Sequence, residues 1–301
     1  MTTPVGPALC KIIQCENKDE WKHEHNIRHT ASTAYTLLTK PLLYYAQKKG
    51  LVDGPEESER MRWGLRLQNE IAKGFAEDTG RTVTMPGPYD LYVHPDYDFV
   101  AATPDAIETV ADKGQGALEI KNTDVEWIDE APIYYQAQLQ VQLSCLGFSF
   151  GTLAALHRGN KLIWMDILRH EEFIKRFLSK AEEMQWRLAT NNPPEVGADG
   201  SDETGKAIAA LFPRDTGAAV ALPPEALQWA DELAQFKAQK KAIEEQVGLR
   251  ENLLKNAIGD ATYGELADGT GFSWKLQRRV DPPREERISE FRVLRFVKGR
   301  K

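Results

Sequence analysis

Asp105 follows Thr103 and Pro104 on a tight turn, and fourteen residues later Glu119 and Lys121 flank Ile120 in a segment that reads as a β-strand. Residues two apart on a strand share a face, so Glu119 and Lys121 point together, opposite Leu118 and Ile120. A hairpin that brings Asp105 alongside would place two carboxylates and one ammonium in one cleft. Carboxylate oxygens suit a hard divalent cation, and a lysine beside them can position or activate a water. That is the minimal apparatus for metal-assisted hydrolysis of a phosphodiester. A lone Glu-x-Lys triple arises by chance in most chains of this size. Here it gains weight from the upstream Pro-Asp and from the half-buried alternation of Ala117 to Lys121. The plain competing reading is a surface hairpin with ordinary charges.

Two flanking helices are needed to hold such a hairpin. Met61 to Phe75 carries Leu67, Ile71 and Phe75 at four-residue intervals, an apolar stripe for packing, with Glu70 beside it. An exposed helix glutamate is the commoner fate of that residue type. Tyr134 to Leu143 reads as a second helix, with Tyr135, Leu139 and Leu143 or Gln142 on one side and Gln138 near it. It holds four glutamines in seven residues, Gln136, Gln138, Gln140 and Gln142. An amide can bond a water or a phosphate oxygen without competing for a metal as a carboxylate does.

Taken in order, Arg62-Trp63-Gly64, Glu70, His94-Pro95, Thr103-Pro104-Asp105, Glu119-Ile120-Lys121 and Tyr135-x-x-Gln138-x-Gln140 resemble the YqaJ-type viral recombinase nucleases. These are relatives of phage lambda exonuclease within the PD-(D/E)xK superfamily, and the resemblance spans roughly residues 20 to 190. It implies an α/β fold: a PD-(D/E)xK core with a central mixed sheet flanked by helices, followed by a helical and hairpin C-terminal extension. It also implies an exonuclease that degrades double-stranded DNA from its ends 5′→3′ for phage recombination, using Mg2+ with Mn2+ as substitute. By the same resemblance Asp105 and Glu119 are metal ligands, joined by the Ile120 backbone carbonyl, and Lys121 is the catalytic lysine. Glu70, directly or through water, and Gln138 complete the site. Thr30-Ala31-Ser32 matches the family's Thr-Ala-Ser, whose serine lies near the 5′-phosphate, with Thr103 close by. His25 and Arg28 are both candidates for the phosphate-gripping residue upstream of it. Ala106 stands where the family has glycine. Lambda exonuclease-like proteins form rings, commonly trimers, so a homo-oligomer and a single-strand annealing partner are expected.

Composition agrees with a globular protein: 42% hydrophobic and 28% charged residues in a chain of 301. No apolar run reaches the roughly 18 residues of a membrane span, the N-terminus lacks the pattern of a signal peptide, and a cytoplasmic phage or prophage protein is expected. Three cysteines, Cys10, Cys15 and Cys145, suit a reducing compartment. They are too few for an iron–sulfur cluster, which weighs against a Cas4-like nuclease. Zinc-finger spacing and a phosphate-binding glycine loop are absent. The net charge of −7 hides an asymmetry: Gly271 to Lys301 carries +6 and the remainder −13. Lys275, Arg278 and Arg279 open this basic segment and are candidates for contacts to the DNA backbone, with the salt dependence such contacts bring.

The chain divides by its punctuation into an N-terminal arm (1–20), the nuclease domain (21–192), a linker (193–222), and a segment of long helix, hairpin and basic end (223–301). Thr30 to Lys49 reads as one helix and the arm as poorly anchored. Gly151–Leu156 and Lys161–Leu168 read as a hairpin, and Glu171 to Thr190 as a helix. Trp229, Leu233, Phe236, Ile243, Val247, Leu254 and Ala257 make a heptad-like seam on the long helix. Thr262–Leu266 and Gly271–Arg279 would be the strands of the C-terminal hairpin. Two rivals remain: a Cas4-like or structure-specific endonuclease, and a non-catalytic DNA-end or annealing-partner module in which the carboxylates only hold the fold.

Overall fold

The computed structural model describes residues 10–54, 58–125, 127, 129–197 and 199–278. The chain splits into two compact units, Met1–Pro213 and Arg214–Lys301.

The first unit runs β1 (Lys11–Gln14), α1 (Lys18–Asn26), β2 (His29–Thr30), a 3₁₀ turn (Ala31–Thr33), α2 (Ala34–Thr39), α3 (Pro41–Lys48) and α4 (Glu59–Thr79). Five strands follow: β3 (Thr82–Thr84), β4 (Asp90–Val93), β5 (Val100–Ala102), β6 (Ala106–Val110) and β7 (Gly114–Thr123). Then come α5 (Ile133–Leu146), β8 (Phe150–His157), β9 (Lys161–Leu168), α6 (Glu171–Ala189) and α7 (Asp202–Leu211). One sheet has the order β3-β6-β7-β8-β9 and a smaller one β1-β4-β5-β2. In the larger sheet β7 and β8 are parallel and the other pairs antiparallel.

The alternation of β7 decides what covers each face. Leu118 and Ile120 join Ile71, Ala72 and Phe75 of α4 in one core cluster, while Ala117 joins Leu139 and Leu143 of α5 in another. The sheet is therefore mixed and covered on both faces, the architecture expected. Phe75 is fully buried, and truncating such a residue to alanine costs about 3–5 kcal/mol. Helix α4 starts where the Ser58 hydroxyl accepts from the Met61 amide, and it ends at Gly80 in a left-handed conformation, φ 69°.

Three expectations need correction. The N-terminal arm is anchored from Lys11: β1 pairs antiparallel with β4, and Ile13 packs against Leu91, Val93 and Ala101. The single helix over Thr30–Lys49 is a short strand, a 3₁₀ turn and two helices. Pro41 has no amide proton and drives Lys40 to φ −132°, ψ 58°, which breaks the run. Part of the expected linker is helix α7, capped by the Ser201 hydroxyl, with Ala207 buried against Leu43 and Ala46 of α3. The first unit accordingly runs on to Pro213.

The second unit contains α8 (Ala226–Ile258) and a hairpin of β10 (Tyr263–Glu265) with β11 (Gly271–Ser273), turning through Gly269 at φ 83°. The seam residues Trp229, Leu233, Phe236, Ile243 and Val247 of α8 are exposed. Lys275 and Arg278 are exposed as well, and Arg279 with the rest of the basic end lies outside the described residues.

Candidate active site

Strands β6 and β7 form the hairpin expected from the sequence, with Ala106 opposite Leu118. This places Asp105 just beyond the end of β6, where its Oδ2 accepts the Ile120 amide at 2.7 Å. Within a strand the N–H and C=O of one residue face the same edge, so the Ile120 carbonyl also faces the Asp105 side. Asp105 Oδ1 accepts from Gln68 Nε2 of α4 at 3.0 Å.

On the α5 side of β7, Glu119 is buried, at 1% exposure. Its Oε1 accepts from Lys121 Nζ, and from Gln138 Nε2 at 2.6 Å. Its Oε2 accepts from Gln142 Nε2 at 2.5 Å. Lys121 Nζ also donates to Gln138 Oε1 at 3.1 Å and lies 5.0 Å from the centre of the Tyr135 ring. Gln138 and Gln142 are one helical turn apart and so share a face. Gln140 points elsewhere, joining Leu168 O and the His170 amide across the β9–α6 corner, and Gln136 donates to Ala131 O.

The charges do not balance: two carboxylates face one ammonium. Burial, and after it the negative charge of Glu119, hold the Asp105 carboxyl well above the usual carboxylate range, against the pull of Lys121 and the Ile120 amide. Burial lowers Lys121, but Glu119 and Asp105 outweigh it and keep the amine protonated. Glu119 Oε1 accepts two of these bonds and each of the other three carboxylate oxygens one, which leaves acceptor capacity on those three. A divalent cation here would take its oxygen ligands from Asp105, Glu119 and the Ile120 carbonyl.

Glu70 does not join them. It is exposed and bonded to Lys73 on its own helix at 2.7 Å, and among the described residues no group of three His, Cys, Asp or Glu side chains is placed to hold a metal ion. Glu70 does line a cleft of about 1000 Å³ that reaches Gln68, Thr103 and Asp105, and whose lining does not include Glu119 or Lys121. Gln68 was missed by the sequence reading. Its signal was a polar residue in register with Ala72 and Phe75, on the core-facing stripe of α4.

The phosphate candidates are only partly gathered. Thr30 pairs in parallel with Ala101, so Ser32 and Thr103 leave neighbouring strands at the same sheet edge. Ser32 is exposed, its hydroxyl 3.3 Å from that of Thr30. Arg28 is committed elsewhere, donating to Asp98 O at 2.9 Å and to the Glu24 carbonyl and carboxylate at 2.9 and 2.5 Å. His25 stacks on Trp21 at 4.8 Å; burial and the Lys48 charge push it down to about 4, so it is neutral at pH 7. His94 is buried, its Nδ1 accepting the Asp96 amide at 3.1 Å.

The turn Asp, the strand Glu-x-Lys and the glutamine helix thus converge within the first half of the chain. Residues 20–149 match the YqaJ-like viral recombinase domain. The resemblance read from the motif string therefore holds for this stretch, which is under half of the 301 residues. Solved structures similar to the chain include an alkaline exonuclease, LHK-Exo, from Laribacter hongkongensis, at 21% identity and TM-score 0.48, over 58% of this chain and 94% of that one. A phage-related exonuclease from Haemophilus somnus 129PT is similar at 10% identity and TM-score 0.42, over 55% and 94%. No curated protein matches the chain. The matched stretch contains all the site residues above from His25 to Gln142, and no described helix is long and apolar enough to cross a membrane.

Proposed function

We propose that the protein is a divalent-metal-dependent deoxyribonuclease, an exonuclease that degrades linear duplex DNA from its ends, 5′→3′, with Mg2+ as its ion and Mn2+ as substitute. The observation that carries this reading is the pairing of Asp105 and Glu119 against the single ammonium of Lys121, within a viral recombinase domain. Asp105, Glu119 and the Ile120 carbonyl hold the ion. A bound ion supplies charge neutralisation at the scissile phosphate and a more acidic water. Lys121, oriented by Glu119 and Gln138, directs its protons toward the phosphate or the attacking water. Gln142 keeps the second Glu119 oxygen in place. Ser32 and Thr103, at one sheet edge, receive the 5′-phosphate, while Arg28 and His25 shape the wall behind them. The acceptor of the product strand is a single-strand annealing protein, and the exposed seam of α8 joins copies of the chain, with a trimer favoured. Lys275, Arg278 and Arg279 contact the DNA backbone.

The test is a digest of linear duplex labelled at the 5′ or the 3′ end, with closed circular duplex beside it. Cleavage from the 5′ end in Mg2+, none in EDTA and an intact circle are expected. Cutting of the circle would make it an endonuclease, and equal cleavage in EDTA would remove the metal from the reading. A 5′-phosphorylated end should be degraded faster than a 5′-hydroxyl end, because the pocket loses charge-assisted bonds without the dianion. Light scattering at micromolar concentration should show a multiple of 33.9 kDa; a monomer contradicts the assembly.

A further inference from the structure

Three tyrosines form a strip between the two halves of the proposed site. Tyr35 lies three residues after Ser32, on α2, and is 37% exposed; Tyr134, at the start of α5, is 40% exposed. Their rings meet edge to face at 6.1 Å. Tyr134 meets Tyr135 edge to face at 4.4 Å, and Tyr135 lies beneath Lys121 Nζ. From Tyr35 to Lys121 the contacts are therefore aromatic throughout. Tyr44 and Tyr45, by contrast, are buried, at 1% and 3% exposure. An edge-to-face pair covers one face of one ring, where a parallel stack covers a face of each.

The strip is flanked by positive charge. Lys121 Nζ lies over the Tyr135 ring at 5.0 Å, and the charges of Lys121 and Arg60 act to lower the Tyr134 hydroxyl, which burial and then Tyr135 raise. Arg60 is more than half exposed and pairs with Asp124 at the end of β7. Exposed aromatic faces set between cations suit a nucleic-acid strand, because bases stack on the rings whatever their sequence while the cations meet the phosphates.

The geometry points to Tyr134, with Tyr35 beside it, as a stacking platform for an unpaired nucleobase of the strand whose phosphate reaches Glu119 and Lys121. This rests on the nuclease reading for the identity of the strand, but not on cleavage for its readout. A base held on the strip fixes which phosphate stands at Lys121, so the platform acts on substrate positioning.

Two measurements on the full-length protein separate the ideas. In the first, linear duplexes with a single abasic position stepped inward from the 5′ end are digested in Mg2+. One position should raise the wild-type KM about tenfold or more, the size of one lost base stack, with kcat little changed. Tyr134→Ala should raise KM similarly on intact DNA and show no further loss at that abasic position, whereas Tyr134→Phe, which keeps the ring, should behave as wild type. An unaltered abasic penalty in Tyr134→Ala overturns the platform, as does an unaltered KM. In the second, duplex with 2-aminopurine at that position is titrated in EDTA. Wild-type protein should change its fluorescence, and Tyr134→Ala and Tyr35→Ala should weaken that change. A tyrosine-dependent signal from protein that never cuts DNA sinks the nuclease reading and keeps the platform. Cleavage without any tyrosine dependence does the reverse, and silence in both arms overturns both.

Discussion

Glu108 and Glu119 lie on neighbouring strands of one sheet, and both are buried, at 0% and 1% exposure. Their surroundings differ in kind. Glu108, on the α4 side, accepts from Thr152 and from Arg81 at 2.8 Å. Arg81 forks onto both oxygens of Asp166 at 2.7 and 2.9 Å, and Lys113 adds a third bond there at 2.9 Å. Two carboxylates meet two cations, and every partner is a protein group. Glu119 and Asp105 meet one cation, with neutral amides making up the other bonds. A buried charge costs several kcal/mol unless it is compensated, so an imbalance retained in a packed sheet leaves room for a cation from outside. The balanced network clamps strands β6, β8 and β9 together with the start of β3; the unbalanced one is where the proposed chemistry would take place.

The largest expected effects test that division by function. Lys121→Met should lower the cleavage rate by about 10²–10⁴-fold, the range for a lost proton-transfer or charge-positioning group, with DNA binding retained. Asp105→Asn should abolish cleavage while leaving the metal-free protein as stable as wild type or more so, since it removes a buried carboxyl whose ionisation burial and Glu119 oppose. A steady-state digest and a urea titration read both. If Asp105→Asn cuts DNA at the wild-type rate, Asp105 is scaffolding like Glu108.

Next comes the opposite variant. Arg81→Met leaves Glu108 and Asp166 without the guanidinium that joins them, and breaking a buried pair typically costs about 3–5 kcal/mol. The urea midpoint should fall accordingly, while cleavage per folded molecule stays within a few-fold of wild type. A loss of activity without a loss of stability would reverse the roles of the two clusters.

How far these clusters were legible beforehand depends on the range of the signal. The Asp105, Glu119 and Lys121 set could be read because strand periodicity and a short hairpin fix it locally. The stripe of Leu67, Ile71 and Phe75 and the hairpin of β8 and β9 were equally local. The Arg81 network was not legible: its members come from an irregular segment and three strands, and only the sheet register brings Glu108, Thr152 and Asp166 onto one face. Gln142 as a second clamp on Glu119 needed the rotation of α5 over the sheet, which no periodicity specifies. Glu70 lies at the rim of the cleft that reaches Asp105 and not in contact with it. One position along α4 separates it from the packed stripe, enough to turn it to solvent and to Lys73.

A smaller effect sharpens the metal side. A ligand that binds only the folded state stabilises it by about 2.7 kcal/mol at a hundred times its dissociation constant. Mg2+ should therefore raise the melting temperature of the wild type, and the rise should vanish in Glu119→Gln while surviving in Glu108→Gln. Equal shifts in all three proteins would place the ion elsewhere.

The smallest effect concerns acid. Burial raises Asp166, but bonds from Arg81, Lys113 and Thr152 prevail and bring its carboxyl down to about 2 from 3.8. A carboxylate whose folded value lies below its unfolded one stabilises fully above the unfolded value and loses that contribution as the pH falls through the folded one. The window is thus between about pH 4 and pH 2, and the contribution lost is on the order of 1–2 kcal/mol, discounted because the group keeps some contact with solvent. Glu108 shifts the other way, burial raising it, so total stability blends opposite trends and cannot isolate Asp166. The difference between wild type and Asp166→Asn reads Asp166 together with its coupling to Glu108, whose carboxyl the Asp166 charge helps to raise. Urea titrations from pH 6 to pH 2 should show that difference shrinking only below about pH 4. A difference that stays constant to pH 2 would mean that the bonds to Asp166 do not depend on its charge, and the contrast between a charge-balanced clamp and a charge-imbalanced site would lose its electrostatic basis.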